Sequence, residues 1–395
     1  MPGPRPRRSS LTALALYSLL ASNRGSLFTI YFALFLVTEK HAPLTFALAT
    51  LSVAYIGASL LSPLIGRWSD RLRRRRPFLI AGEALSLPLL ISIPFLPGFE
   101  GPSLAFIVGE WVLSFGSPAM NAYVVDSTRR GERGRWYGVL GAASALGAAI
   151  GFPVAGYLIG IWGFAALFIV AGTVMALALL TVVFLLSEAE VPVAPSRRAI
   201  REMKPLATFS FAVSIRAIGW GAVVSFYGAF AYVLGASAFD IGLIAMSGWV
   251  VGALISARAG RLVDQMGEIR AMMLGASVSL GAILIFLFTT AWPELFPAQI
   301  TYRVGFAFMN PAMLSWVGGM APSGRRGEYL GFFSMVNSTL WSSGPLVGAI
   351  ALSIGGSTGL FLMATLATAF SVAAIPILYR SKIFRKGTGP DPVPS

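Results

Sequence analysis

Cysteine is absent from the 395 residues, and histidine occurs once, as His41 in a short polar stretch. No disulfide framework can form, and no thiolate chemistry is available. Zinc and di-metal centres gather several His, Cys or carboxylate ligands in one place. The sequence holds no such cluster, so it implies no cofactor and argues against a membrane-embedded enzyme. A phosphate-cradling Gly-x-x-x-x-Gly-Lys-Ser/Thr loop is missing as well, which removes ATP as the expected energy source. Charge is also scarce: 12% of residues are Asp, Glu, Lys or Arg, against 56% hydrophobic. A soluble chain is about a quarter charged. This one has too few charged side chains to be wetted on every side.

What the chain has instead is long apolar runs. Runs of about 20 residues span a hydrocarbon core of about 30 Å at 1.5 Å per residue. They predict twelve transmembrane helices, at 11–37, 45–65, 78–97, 103–126, 136–160 and 162–186, then 206–234, 238–258, 270–291, 298–320, 329–354 and 357–379. A single long polar linker, 187–205, separates six helices in 1–186 from six in 206–395 with a short tail. The first run follows a basic N-terminus, as in a secretory signal. However, Ser22, Asn23 and Arg24 after Ala21 match a cleavage site poorly, so the run is expected to stay as the first span.

The net charge of +14 would suggest nucleic-acid binding in a soluble chain. Its distribution says otherwise. With the N-terminus placed in the cytoplasm, 26 of the 30 Lys and Arg fall in cytoplasmic segments, the densest being Arg71 with Arg73 to Arg76. Only Lys40 lies in an outer loop, and Arg24, Arg216 and Arg303 fall inside helices. This segregation is the positive-inside rule. It predicts a multi-pass plasma-membrane protein with both termini cytoplasmic, attracted to anionic lipid heads, with no nucleic-acid partner and working as a monomer.

The two halves repeat at an offset of about 193 residues. Gly66-Arg-Trp-Ser-Asp70-Arg71 answers Gly260-Arg-Leu-Val-Asp264-Gln265, and Phe115-Gly-Ser-Pro118-Ala-Met120 answers Phe308-Met-Asn-Pro311-Ala-Met313. Gly138 and Gly151 answer Gly331 and Gly344 with the same internal spacing. A duplicated bundle is the plan of carriers that bind solute at the seam of two halves and rock one against the other.

On these residues the chain resembles the major facilitator superfamily over nearly its whole length. Gly66-x-x-x-Asp70-Arg71-x-Arg73 is similar to the superfamily's signature between helices two and three, with Arg73 in place of the usual second glycine. Gly260-x-x-x-Asp264-x-x-Gly267 keeps that glycine. Asp126 followed by Arg133 and Gly134 resembles the signature between helices four and five. The resemblance implies a gating role for Gly66, Asp70, Arg71, Asp126, Arg133, Gly260 and Asp264. Gly138, Gly147, Gly151, Pro153 and Gly156 on helix five resemble the glycine–proline signature of the drug/proton antiporter branch. Together with Gly344 they are also small residues suited to helix packing.

Ionisable groups inside a membrane are costly and point to function. Arg24 on helix one and Arg216 on helix seven match as repeat partners, and so do Glu110 on helix four and Arg303 on helix ten. Those four helices line the cavity in the superfamily. One carboxylate against three guanidiniums predicts a net positive cavity that takes an anionic or strongly polar solute. Burial favours the neutral carboxyl and a nearby guanidinium the ionised one. Glu110 is therefore the first candidate proton carrier. Glu83 is the second, although its place near the cytoplasmic edge favours pairing with the basic loop. Asn121, Tyr123, Trp220, Tyr227, Tyr302 and Asn310 are candidate pocket residues on the same helices. The expected function is secondary active transport of a small organic, anionic solute by alternating access, with proton-coupled efflux preferred. Sugar or organophosphate uptake is the alternative: the arginine pair on helices one and seven is similar to organophosphate/phosphate antiporters, and Ser69-Asp70-Arg71 with Arg74-Arg75-Arg76-Pro77-Phe78 to disaccharide/proton symporters. A channel would differ from all of these by carrying uncoupled flux.

Overall fold

A computed structural model of the chain describes residues 8–127, 133–188, 204–321 and 326–380. Among these there is no strand; the fold is all helix. The α-helices are α1 (Arg8–Thr29), α2 (Tyr31–Thr38), α3 (Leu44–Leu72), α4 (Arg76–Ser92), α5 (Glu100–Leu113), α6 (Gly116–Ser127), α7 (Arg133–Leu180), α8 (Lys204–Val233), α9 (Ala238–Met266), α10 (Glu268–Phe288), α11 (Leu295–Met320) and α12 (Arg326–Arg380).

Nine helical stretches among the described residues are long and apolar enough to cross a membrane. Two of these, Gly138–Leu185 and Tyr329–Tyr379, run 48 and 51 residues, more than twice the about 20 that a bilayer needs. Each is broken by glycine. Gly163 sits at φ 74° inside α7, and Gly356 at φ 62° inside α12. A left-handed residue stops a right-handed helix, and glycine adopts that conformation without a Cβ penalty. The two glycines are 193 residues apart, so the break itself obeys the repeat. α11 is 26 residues long but is not one of the nine; Gln299, Tyr302, Arg303 and Asn310 dilute its apolar run.

Two expected helices are interrupted. The first is split at Ile30 into α1 and α2, and the fourth at Ser114 and Phe115 into α5 and α6. The second break lies one turn beyond Glu110. There the Ser114 amide still reaches the Glu110 carbonyl at 3.0 Å, but the Phe115 amide has tightened onto Val112 at 3.0 Å. Apolar run length carries no record of such local tightening.

The chain divides into two compact units, Met1–Pro195 with Val224–Val250, and Ser196–Val223 with Val251–Ser395. The sequence boundary at the 187–205 linker and this division differ in one respect: the end of α8 and the start of α9 are grouped with the first unit. There the Tyr31 hydroxyl donates to the Phe152 carbonyl at 2.9 Å and the Ala238 carbonyl at 3.0 Å.

Each unit is knit by glycines that let backbones touch. In the first, a Cβ on Gly147 would strike the Leu19 carbonyl, and one on Gly151 would come within 2.7 Å of Ser26 Oγ and 2.8 Å of the Asn23 carbonyl. Asn23 then donates to the Gly147 carbonyl at 3.0 Å. In the second, a Cβ on Gly344 would meet the Ile218 carbonyl and lie 2.6 Å from the Ala222 amide. Gly151 and Gly344 are repeat partners, and each holds its own helix pair, α1 with α7 and α8 with α12. Gly82 and Gly275 repeat the pattern: a Cβ on Gly82 would sit 3.3 Å from the Gly116 amide, and one on Gly275 2.6 Å from the Gly305 carbonyl. Gly156 closes on the Ala238 carbonyl within the first unit. Gly138, expected to pack a helix, meets nothing within 4 Å.

The cores are apolar and aromatic. Phe32 stacks on Phe106 at 3.9 Å in the first unit; Phe209, Met272, Met309, Met313 and Phe333 fill the second. Large apolar side chains also face outward, Phe184 at 76%, Phe288 at 75% and Ile354 at 83% exposure. Such exposure is unfavourable in water and natural in lipid, where the helices satisfy their own backbones.

Candidate functional site

In the first unit, α1 carries Tyr17 and Arg24 seven residues apart, two turns along one face. α4 brings Glu83 against them. Arg24 Nη1 donates to Glu83 Oε2 at 2.6 Å, and the Tyr17 hydroxyl donates to Glu83 Oε1 at 2.8 Å. Glu83 is 1% exposed and Arg24 8%. Both carboxylate oxygens therefore have a donor, one of them charged, as a buried carboxylate requires. Glu110, on α5, lies half-buried within electrostatic reach of both Arg24 and Glu83. One guanidinium thus pairs with one carboxyl group and lies within electrostatic reach of a second.

This corrects the expected environment of Glu83. It does not pair with the basic loop but with Arg24, in the interior. It also corrects the charge balance. Arg24 is offset by Glu83 with Glu110 nearby, whereas no ion pair is found for Arg216 among the described residues.

There α8 carries Arg216, 5% exposed. One guanidinium nitrogen lies 3.5 Å from Met313 Sδ, and its Nε has no hydrogen-bond partner. Its backbone is unusual too. The Arg216 amide donates to Ser371 Oγ at 3.1 Å, and that hydroxyl donates to the Ala212 carbonyl at 3.0 Å. Ala212 is the residue whose carbonyl would ordinarily take the Arg216 amide. The Ser371 hydroxyl thus touches both ends of the α8 backbone rung at this residue and ties it to α12. One turn on, Trp220 stacks on Tyr302 at 3.6 Å. The Arg303 guanidinium lies 5.6 Å from the Tyr302 ring centre, and a Cβ on Gly252 would lie 3.4 Å from the Arg303 stem.

The other candidate pocket residues are placed elsewhere. Tyr123 is buried and donates to the Ser187 carbonyl at 2.7 Å, tying the end of α6 to the stretch after α7. Tyr227 lies in the first unit, its hydroxyl 3.4 Å from the Ile241 carbonyl. Asn121 is exposed and Asn310 half-buried. Of the gating candidates, Arg71 is exposed. A Cβ on Gly66 would meet only Pro118 Cβ at 3.7 Å, and Gly260 has nothing within 4 Å, so neither needs glycine for space. The side chains of Asp70, Asp126, Arg133 and Asp264 lie outside the described residues.

Sequence reasoning treated Arg73 to Arg76 as a topology anchor and missed what they hold. Arg73 adopts φ 52°, and Gly267 adopts φ 83° at the matching position of the second half. The turn is left-handed, which accounts for the glycine usual there. Arg75, 4% exposed, donates to Ser69 Oγ at 2.8 Å. Glu188 Oε1 accepts the Arg75 and Arg76 amides at 2.6 and 3.1 Å, capping the start of α4 with a negative charge. Arg76 in turn donates to the Val182 carbonyl at 3.2 Å and to that of Val183. Those carbonyls belong to the π-helical turn Thr181–Leu185.

The comparisons with known proteins agree with this architecture. The chain matches the sequence profile of the Major Facilitator Superfamily over residues 14–233 and 209–394. It is 30% identical to Multidrug resistance protein 2 of Bacillus subtilis (strain 168), over 74% of this chain and 75% of that protein. It is 27% identical to the class C tetracycline resistance protein of Escherichia coli, over 81% of this chain and 83% of that one. Among solved structures, an inward-facing, occupied bacterial homolog of the human lysosomal transporter Spinster superposes with TM-score 0.78 at 14% identity, over 98% of this chain and 100% of that one. The human organic anion transporter MFSD10 (TETRAN) superposes with TM-score 0.68 at 18% identity, over 94% and 100%. Apolar membrane-length helices, a two-fold repeat written into glycine seams, and a family match across both halves lead to one conclusion: the chain is a multi-pass membrane transporter, not an enzyme, and it belongs to the major facilitator superfamily.

Proposed function

We propose that this transporter is a proton-coupled antiporter that expels a small organic solute, anionic or amphiphilic, by alternating access. In this reading it crosses the plasma membrane twelve times, with both termini cytoplasmic. It works as a monomer, and its bundles 1–186 and 206–395 are the moving parts. The observation that carries the proposal is Arg24 placed against Glu83 at 2.6 Å with Glu110 in electrostatic reach. Proton exchange needs a carboxyl whose preferred charge depends on something that can move, and here that element is the shared guanidinium. Efflux is supported by the multidrug and tetracycline resistance relatives. An anionic cargo is supported by the arginine excess in the second unit.

The test is transport in proteoliposomes under an imposed pH gradient, with tetracycline, a set of organic anions and a set of lipophilic cations as cargo. An antiporter drives accumulation of its cargo against the proton gradient. Glu110→Gln is expected to abolish gradient-driven accumulation while leaving cargo exchange at equal pH. Cargo flux indifferent to the gradient in the unaltered protein would defeat the antiport reading.

A further inference from the structure

Among the described residues, the buried side-chain atoms found without a hydrogen-bond partner all lie in the second unit; they include Arg216 Nε, Trp220 Nε1 and Asn337 Oδ1. The first unit resolves its buried charge with a carboxylate and a phenol. The second has Arg216, 95% buried, and among the described residues the hydrogen-bonding neighbour found for its guanidinium is a thioether. Sulfur is a weak acceptor and brings no charge. The one ion pair among the described residues is Arg24 with Glu83, so no described carboxylate answers Arg216. A lone ion in an apolar interior is held at a cost that proteins ordinarily avoid by pairing it.

Trp220 adds a second donor. It lies four residues from Arg216, on the same face of α8, and its indole N–H is buried without an acceptor. The ring is fixed by stacking on Tyr302 at 3.6 Å, so the N–H direction is fixed with it. Ser371 Oγ accepts from the Arg216 amide and donates to the Ala212 carbonyl, anchoring the residue's backbone to α12. Two buried donors, one of them cationic, therefore share one face of α8 with no acceptor among the described residues for Arg216 Nε or Trp220 Nε1. Water would accept from both but would leave the charge unopposed.

We propose that Arg216 and Trp220 form a site for one compact monovalent anion. That anion is either a free halide or the carboxylate head of a transported solute; the two share the chemistry of a small, acceptor-only species with a single charge. The inference does not depend on proton coupling or on the direction of transport.

Thermal unfolding of the full chain in detergent tests it, at constant ionic strength with gluconate as the bulky reference anion. Binding to the folded state alone raises the midpoint progressively, in proportion to the logarithm of one plus the ratio of anion concentration to Kd. If chloride or bromide alone raises it, the site holds free halide. If benzoate or another small carboxylate raises it and halide does not, the site belongs to the cargo. If none of them does, the proposal is wrong. Trp220→Phe keeps the stack and removes the N–H, and is expected to weaken the anion about tenfold, as loss of a hydrogen bond to a charged group does. Arg216→Gln is expected to remove the anion response altogether. Its midpoint in gluconate should be no lower than that of the unaltered protein, since an uncompensated charge has been taken away. Should that variant fail to fold, Trp220→Phe decides: an unchanged anion midpoint there overturns the site.

Discussion

Glu83→Gln tests the first unit's charge cluster most directly. At 2.6 Å and an effective dielectric constant of about 20, the Arg24–Glu83 attraction is about 6 kcal/mol. Desolvation of the two ions, at several kcal/mol each, offsets most of that. The intact pair is therefore close to neutral for stability, but losing one partner is not. Glutamine can still accept from Tyr17, yet it turns no negative charge toward Arg24. Removing one member of a buried pair ordinarily costs about 3–5 kcal/mol. Glu110 lies within electrostatic reach of the guanidinium, so the loss should fall at the lower end, about 3 kcal/mol. Glu110→Gln alone should cost under about 1 kcal/mol, because Glu83 remains. The double variant should then exceed the sum of the singles by about 1 kcal/mol or more, the signature of groups that share a partner. Replacing the pair together, Arg24→Met with Glu83→Leu, should be nearly neutral. Equilibrium unfolding in mixed micelles, followed by the fluorescence of the nine tryptophans, gives these differences. Additivity of Glu83→Gln and Glu110→Gln within about 0.5 kcal/mol would refute the shared-guanidinium arrangement.

Three further outcomes are expected. Gly147→Ala and Gly344→Ala should each lose about 1–3 kcal/mol, because the new methyl group meets backbone rather than a side chain that can yield. Gly138→Ala, with open space around it, should gain about 0.5–1 kcal/mol from helix propensity; unfolding midpoints compare all three. Arg73→Gly should gain about 1 kcal/mol by relieving the left-handed conformation at φ 52°, and an unchanged or lowered midpoint would show that the Arg73 side chain offsets its own strain.

The membrane helices and the duplication were legible because both are written in one dimension. Run length gives the spans, and the recurrence of Gly138 at Gly331 and of Gly151 at Gly344 gives the repeat. The same reading picked out Arg24, Glu110, Arg216 and Arg303 as intramembrane charges. It could not see that Glu83 answers Arg24. That depends on the angle of each side chain about its helix axis and on which helices are neighbours, neither of which a linear pattern encodes. It grouped Gly138 with Gly147 and Gly151, although only the latter two face another backbone. It read Arg73 as a departure from a motif without seeing that the backbone keeps the turn regardless. The helix break at Ile30 left no mark either, since the residues around it are as apolar as their neighbours, and the one at Ser114–Phe115, just before Gly116, Ser117 and Pro118, was hidden because run length does not weigh single small or polar residues.

The backbone seams of α1 against α7, and of α8 against α12, have a mechanical meaning. Where a carbonyl sits in the space that a methyl group would need, no layer of side chains remains to act as a bearing, and the two rods cannot roll or slip past each other. Each pair is a welded plank. Spin labels placed across either seam should hold one separation through a full turnover, whatever larger displacements the carrier makes.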